Sequence, residues 1–210
     1  MFTLTILPAF GKTRMTLSSV ELSPLARDNF KYRTQKIVRI LLFVYVGMTL
    51  AETILLRIAG MSWFDAVNHS FSTIATGGFS TRNLSIAAFD SPWIEVIIIF
   101  FMFLAGIHFG LIFATLIGSR NNMLHSEVVR YYFICVAAGA IFITFNLWNS
   151  GIYDDFATSL RYGTFHSISM ITTTGFATAD TAGWPPFSMA ILFFFMIQCA
   201  CAGSTSGGLK

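Results

Sequence analysis

Residues 69–81 read HSFSTIATGGFST, and residues 166–178 read HSISMITTTGFAT. The offset is 97 throughout, and eight of the 13 positions are identical. Self-similarity at a fixed period marks a duplicated structural unit. Each copy ends in a Thr-rich, Gly-containing turn, and a long apolar run follows each one. Polar, irregular backbone between hydrophobic segments is tolerated at membrane depth only where it is buried in protein or lines a water-filled path. One such turn would mean little. Two in register, each after a short amphipathic segment and before an apolar run, describe one re-entrant design written twice. The plainer alternative is a pair of extracellular turns between ordinary helices.

Composition places the chain in a membrane. It is 55% hydrophobic and 11% charged, against roughly 25% charged in soluble domains. The net charge of +3 is unevenly placed: seven of the 13 Lys and Arg lie between Lys12 and Arg39, and Arg120 and Arg130 bracket a second hydrophilic stretch. This is the distribution of cytoplasmic loops, not of a nucleic-acid surface. With 12–36 and 119–127 inside, the repeated loops face outside. Cys135, Cys199 and Cys201 lie in apolar runs and read as small buried residues rather than a disulfide framework. No signal peptide is visible. Met1–Phe10 reads as the tail of a preceding transmembrane helix, and the chain as an internal stretch of a longer protein.

A spanning helix needs about 20 mainly apolar residues. The predicted spans are Ile37–Ala59, Trp93–Gly118, Val128–Trp148 and Phe187–Ala202. Glu52, deep in the first, is expected to face protein or to sit at the interface, and Arg57 to snorkel. Ser62–Ala75 and Asp155–Ile171 are too short to cross and predict half-helices. Ser62 and Asp65 have capping-box spacing, and Asp154 and Asp155 are candidate caps for the second. The organisation is therefore a tail at 1–10, a linker at 11–36, a repeat at 37–118 with its pore loop at 62–79, a linker at 119–127, and a repeat at 128–210 with its pore loop at 155–176. The fold class is an all-α integral membrane protein with tandem span–pore helix–loop–span repeats.

The half-helices end at the polar loops, so the negative ends of their dipoles favour a cation there. The candidate ion-binding residues are Ala75, Thr76, Gly77 and Gly78 in the first loop and Thr172, Thr173, Thr174 and Gly175 in the second. Successive backbone carbonyls turned to one axis replace the hydration shell of potassium. Glycine permits the left-handed backbone this requires. Phe79 and Phe176 are expected to wedge the loops into their surroundings.

STIATGGFST, ITTTGFATAD and the ending CAGSTSGGLK resemble the membrane subunit of Trk/Ktr-type bacterial potassium uptake systems. The resemblance covers nearly the whole chain and rests on three separate motifs. It implies a potassium-channel-like fold with four non-identical repeats in one chain, of which this sequence matches the second and most of the third. It implies potassium, with sodium as a further ion, as the transported substrate, passage across the bacterial inner membrane, and no enzymatic chemistry or cofactor. It also implies a homodimer carrying a cytoplasmic ring of nucleotide-binding regulatory subunits. In the third repeat of such proteins the helix after the filter is broken by a flexible gate, and Gly203, Ser204, Thr205, Ser206, Gly207 and Gly208 match that place. A simple helix end with a Gly cap is the alternative. By the offset of 97, Ala202-Gly203 matches Ala105-Gly106.

Other residues have competing readings. His69, His108 and His166 invite a membrane haem or redox role, but His69 and His166 sit on half-helices, where packing and hydrogen bonding behind the filter is the simpler role. His125 lies in a cytoplasmic loop. Neither a nucleophile elbow nor HExxH occurs, so an intramembrane hydrolase has little support. Gly106, Gly110 and Gly139 read as close-packing positions between helices, and Arg82 as a solvated loop residue.

Overall fold

The computed structural model describes residues 24–118 and 123–207, with side chains from Ile37 onward. The expected helix tail at 1–10, most of the basic linker at 11–36, and Gly208 lie outside the described residues. The chain divides into two compact units, Met1–Val44 and Tyr45–Lys210. Among the described residues there are seven α-helices and no strand: α1 Pro24–Ile58, α2 Trp63–Ile74, α3 Pro92–Ala105, α4 Phe109–Leu116, α5 Glu127–Asn149, α6 Phe156–Ile171 and α7 Pro186–Gln198. A 3-10 turn at Ser85–Phe89 precedes α3.

Local chemistry sets the starts. Ser62 caps α2: its hydroxyl accepts from the Asp65 N–H at 3.1 Å and donates to the Asp65 carboxylate at 2.8 Å. Pro92 and Pro186 stand in the first turns of α3 and α7, where the missing N–H costs nothing. Asp155 occupies the cap position of α6, yet its side chain makes no capping bond there. Its backbone carbonyl alone serves, accepting from the Ser159 N–H at 3.1 Å, so the expected carboxylate cap is corrected.

The burial pattern is that of a protein in lipid. On α1, Thr49, Glu52 and Thr53 are buried while Leu50, Ile54 and Ile58 are exposed. Polar groups turned inward and apolar groups outward reverse the soluble arrangement. Glu52 thus faces protein, and Thr53 donates to the Ser70 hydroxyl of α2 at 3.0 Å. Arg57 reaches past the helix end to the Met61 carbonyl at 3.0 Å. Two helices, Ile37–Ile58 and Glu127–Asn149, are long and apolar enough to cross a membrane.

The second and fourth expected spans are not continuous. Trp93–Gly118 is two helices, α3 and α4, bent by 103°. Gly106 lies at the break, where an added Cβ would sit 2.4 Å from the Tyr132 hydroxyl and 3.1 Å from the Ala200 Cβ. The chain restarts because the His108 ring caps α4, with Nδ1 accepting from the Gly110 N–H at 2.9 Å. In the fourth, α7 stops at Gln198, and Cys199 takes φ +61°, a value an L-residue adopts at a cost.

Helix α3 packs against both α2 and α6, joining the two repeats. Helices α5, α6 and α7 pack on one another around Ile143, Leu147, Trp184 and Leu192. Gly139 allows the close approach of α5 to α7, since a Cβ there would meet Phe195 at 2.1 Å. Gly110 is different: among the described residues, a Cβ there would meet the His108 side chain, at 2.8 Å, so it serves the cap rather than helix packing.

Candidate functional site

The two loops begin where α2 and α6 end, at the C-caps Ala75 and Thr172. Their backbone hydrogen bonds repeat in register. Thr76 N–H donates to Thr73 O at 3.0 Å and Gly77 N–H to Ser72 O at 2.7 Å. At the equivalent positions, Thr173 N–H donates to Met170 O at 3.0 Å and Thr174 N–H to Ser169 O at 2.9 Å. Across a trans peptide the carbonyl points opposite to the N–H. The carbonyls of Ala75, Thr76, Thr172 and Thr173 are therefore turned away from their own half-helices.

Backbone signs alternate to the same effect. Ala75 has φ −78° and Thr76 +51°; Gly77 is not in the positive region, and Gly78 has +68°. Thr172 has φ −81° and Thr173 +56°; Thr174 is not positive, and Gly175 has +83°. Alternating right- and left-handed residues place successive carbonyls on one side of the chain. Gly78 and Gly175 take the left-handed conformation expected of them. Thr76 and Thr173 do so as well, which sequence reasoning missed because a β-branched residue there is an outlier. The loops also meet: a Cβ on Gly78 would lie 2.0 Å from the Thr174 carbonyl oxygen.

The loops' surroundings are unequal. Phe176 is fully buried, its ring 5.8 Å from that of His69 in the preceding repeat. Phe79 is 81% exposed, with its ring 3.3 Å from where a Gly77 Cβ would stand, so the two equivalent phenylalanines, expected to act alike, differ in burial. His69 braces the first loop, with Nδ1 2.7 Å from Asp65 O and Nε2 2.9 Å from the Ser80 hydroxyl. His166 sits 2.9 Å from Tyr162 O and packs on Trp184. Among the described residues no cluster of His, Cys, Asp or Glu is placed to hold a metal, and the haem reading finds no support.

Above the first loop, the buried Asp65 carboxylate accepts from Thr81 Oγ1, from Ser62 at 2.8 Å and from Arg82 at 3.0 Å. Arg82 is thus tied to α2 rather than freely solvated. The Thr81 hydrogen bond foremost, with Ser62 and Arg82, holds the Asp65 pKa down at about 2. The 3-10 turn bridges to the other loop, with Ala87 N–H donating to Ala177 O at 3.2 Å. Below it, Glu95 of α3 accepts two bonds from Arg161 of α6, at 2.6 and 2.8 Å. Sequence reasoning missed this pair. The available signal was that each is a lone charge on a segment otherwise short of charge.

The 203–207 stretch lies against both loops. Thr76 Oγ1 lies 2.7 Å from Ala75 O and 3.1 Å from Thr205 O, with one proton between the two acceptors, and Gly207 N–H donates to Thr173 Oγ1 at 2.8 Å. Both left-handed threonines are therefore held from this stretch. The structure brings together Thr76, Thr173, Thr205 and Gly207, and it places Gly78 against Thr174.

The chain is 40% identical over 207 residues to the Trk system potassium uptake protein TrkH of Salmonella typhimurium, and 38% identical to that of Escherichia coli K12, in each case over 98% of this chain and 43% of the relative. It is 32% identical to TrkG of Escherichia coli K12. The fold matches the crystal structure of the potassium transporter TrkH from Vibrio parahaemolyticus with TM-score 0.79 and 31% identity, over 89% of this chain and 39% of that one. The chain thus spans less than half the length of these relatives. The model of the TrkH cation transport protein family matches residues 1–210, and the chain belongs to that family.

Proposed function

We propose that this chain supplies two of four filter loops in a potassium uptake pore of the bacterial inner membrane, within a longer four-repeat subunit. The observation that carries the reading is the pair of loops with the same hydrogen bonds and the same alternation of backbone sign, each at the negative end of a half-helix. The filter residues are Ala75, Thr76, Gly77 and Gly78 with Thr172, Thr173, Thr174 and Gly175. Potassium is the substrate, held by carbonyls alone. Residues 203–207 form the gate, pressed against the filter threonines. Relatives named as potassium uptake proteins support the choice of ion. The loops face outside and the basic segments 12–36 and 119–127 face the cytoplasm. There a ring of nucleotide-binding regulatory subunits docks on a homodimer.

The test is growth of a potassium-uptake-deficient bacterium on limiting potassium, with the full-length protein carrying Gly78→Ser or Gly175→Ser. Both variants should insert normally and lose preference for potassium over sodium. Unchanged ion preference in both would defeat the filter assignment. Substituted cysteines at Ser85 and Gly183 should react with an impermeant thiol reagent from outside, and failure of both to react in intact cells would reverse the topology.

A further inference from the structure

We propose that the break between α3 and α4 is the seat that holds the gate closed under the filter, with His108 and Thr205 as its positioning residues. This rests on the gate reading above.

The break creates the acceptors. A helix end leaves its last carbonyls without intrahelical partners, and ending α3 at Ala105 does so for the carbonyls of Ala105 and Gly106. Both are taken by the other repeat. Cys201 N–H donates to Gly106 O at 3.1 Å, and Thr205 Oγ1 donates to Ala105 O at 3.1 Å. A continuous α3–α4 helix would have consumed these carbonyls internally.

Shape fits as well. The His108 ring lies over Gly203, where an added Cβ would stand 2.1 Å from His108 Cδ2. The ring is fixed in place because Nδ1 accepts from Gly110 N–H at 2.9 Å. Only glycine seats there, and Gly203 also has φ +82°. By the offset of 97, His108 and Thr205 are equivalent positions, so each repeat places the same residue of its break on the other. From this seat, Thr205 O shares the Thr76 hydroxyl with Ala75 O and Gly207 N–H reaches Thr173. Leaving the seat therefore releases both filter threonines together, coupling gate and filter.

The experiment is rubidium uptake by the full-length protein in the same uptake-deficient strain, normalised to membrane abundance. Thr205→Val, which keeps size and removes the donor, should raise basal uptake roughly twofold to tenfold, the loss of one hydrogen bond. Thr205→Ser should fall closer to the natural protein than Thr205→Val. Gly203→Ala should also raise uptake, and adding His108→Ala should bring it part of the way back by removing the clash. Replacing residues 204–207 by alanines tests the gate itself. If that replacement leaves uptake unchanged, the gate reading fails and the seat with it. If it raises uptake while Thr205→Val does not, and His108→Ala does not suppress Gly203→Ala, the seat is overturned and the gate stands. Should His108→Ala fail to reach the membrane, the near-isosteric Thr205→Val decides alone.

Discussion

Gly77 and Gly78 are neighbours in one loop, and the structure assigns them opposite tolerance to a methyl group. At Gly78 an L-residue pays for φ +68°, a cost of about 1–2 kcal/mol. Its Cβ would also lie 2.0 Å from the Thr174 carbonyl oxygen. That oxygen belongs to the loop of the next repeat and is one of the proposed ion ligands, so Gly78→Ala displaces it as well as straining its own loop. At Gly77 the backbone is not left-handed, and the nearest atom is Phe79 Cδ2 at 3.3 Å, on an exposed ring free to move. The equivalent position in the third repeat already carries the side chain of Thr174. Strain alone at Gly78 disfavours the native loop conformation by about 5- to 30-fold, and displacement of the Thr174 carbonyl changes the surroundings of the ion in addition. The assay is rubidium uptake in competition with sodium, in full-length protein matched for membrane abundance. Gly78→Ala should lose far more selectivity than Gly77→Ala. Equal losses, or a greater loss at Gly77, would refute the reasoning that backbone sign and the Thr174 contact shape this filter.

The Glu95–Arg161 pair should break asymmetrically. Arg161→Met strands a carboxylate whose side chain is 3% exposed and should cost about 3–5 kcal/mol. Glu95→Gln leaves a guanidinium that is 28% exposed with Asp90 3.7 Å away and should cost less; equal falls in the melting temperature of the purified protein would count against this. The Asp65 pKa lies below its unfolded value of about 3.9, so its stabilisation is complete above that pH and is lost as pH falls through about 2. Asp65→Asn should flatten the fall in melting temperature across that window, and an unchanged acid profile would argue against the Thr81–Ser62–Arg82 network as its cause. Gly139→Val should destabilise by about 1–3 kcal/mol because its Cβ would meet Phe195 at 2.1 Å, and Phe195→Leu should recover part of the loss; no shift in melting would mean that α5 and α7 do not pack as described.

The repeat made the half-helices and loops legible because their conformation is set locally. Ser62 caps α2 through its own next turn, and the loop N–H groups bond to carbonyls only three to six residues back. What stayed hidden depends on partners far along the chain. Apolar composition runs unbroken through Phe103–Ala105 into Ile107, so hydropathy reads Trp93–Gly118 as one span. The break is explained only by Tyr132 and Ala200 beside Gly106 and by the capping turn of His108. Phe79 and Phe176 are identical in the repeat, yet one is exposed and the other fully buried, because Phe176 meets His69 from the repeat before it. The left-handed threonines were hidden for the same reason. Thr76 and Thr173 gain partners in residues 205 and 207, more than 30 positions away in sequence. Duplication therefore specifies two similar local units, and the contacts between them make the units different. At Ala105-Gly106 the next residues rebuild a helix behind His108. At Ala202-Gly203 the same dipeptide is followed by Ser204, Thr205 and Ser206. Those side chains find acceptors in the stretch itself and on α3, with Ser204 bonded to Cys201 O at 2.6 Å and Thr205 to Ala105 O at 3.1 Å. Small hydroxyl residues thus turn what is an apolar helix in one repeat into a stretch that lies across the other repeat, against both polar loops.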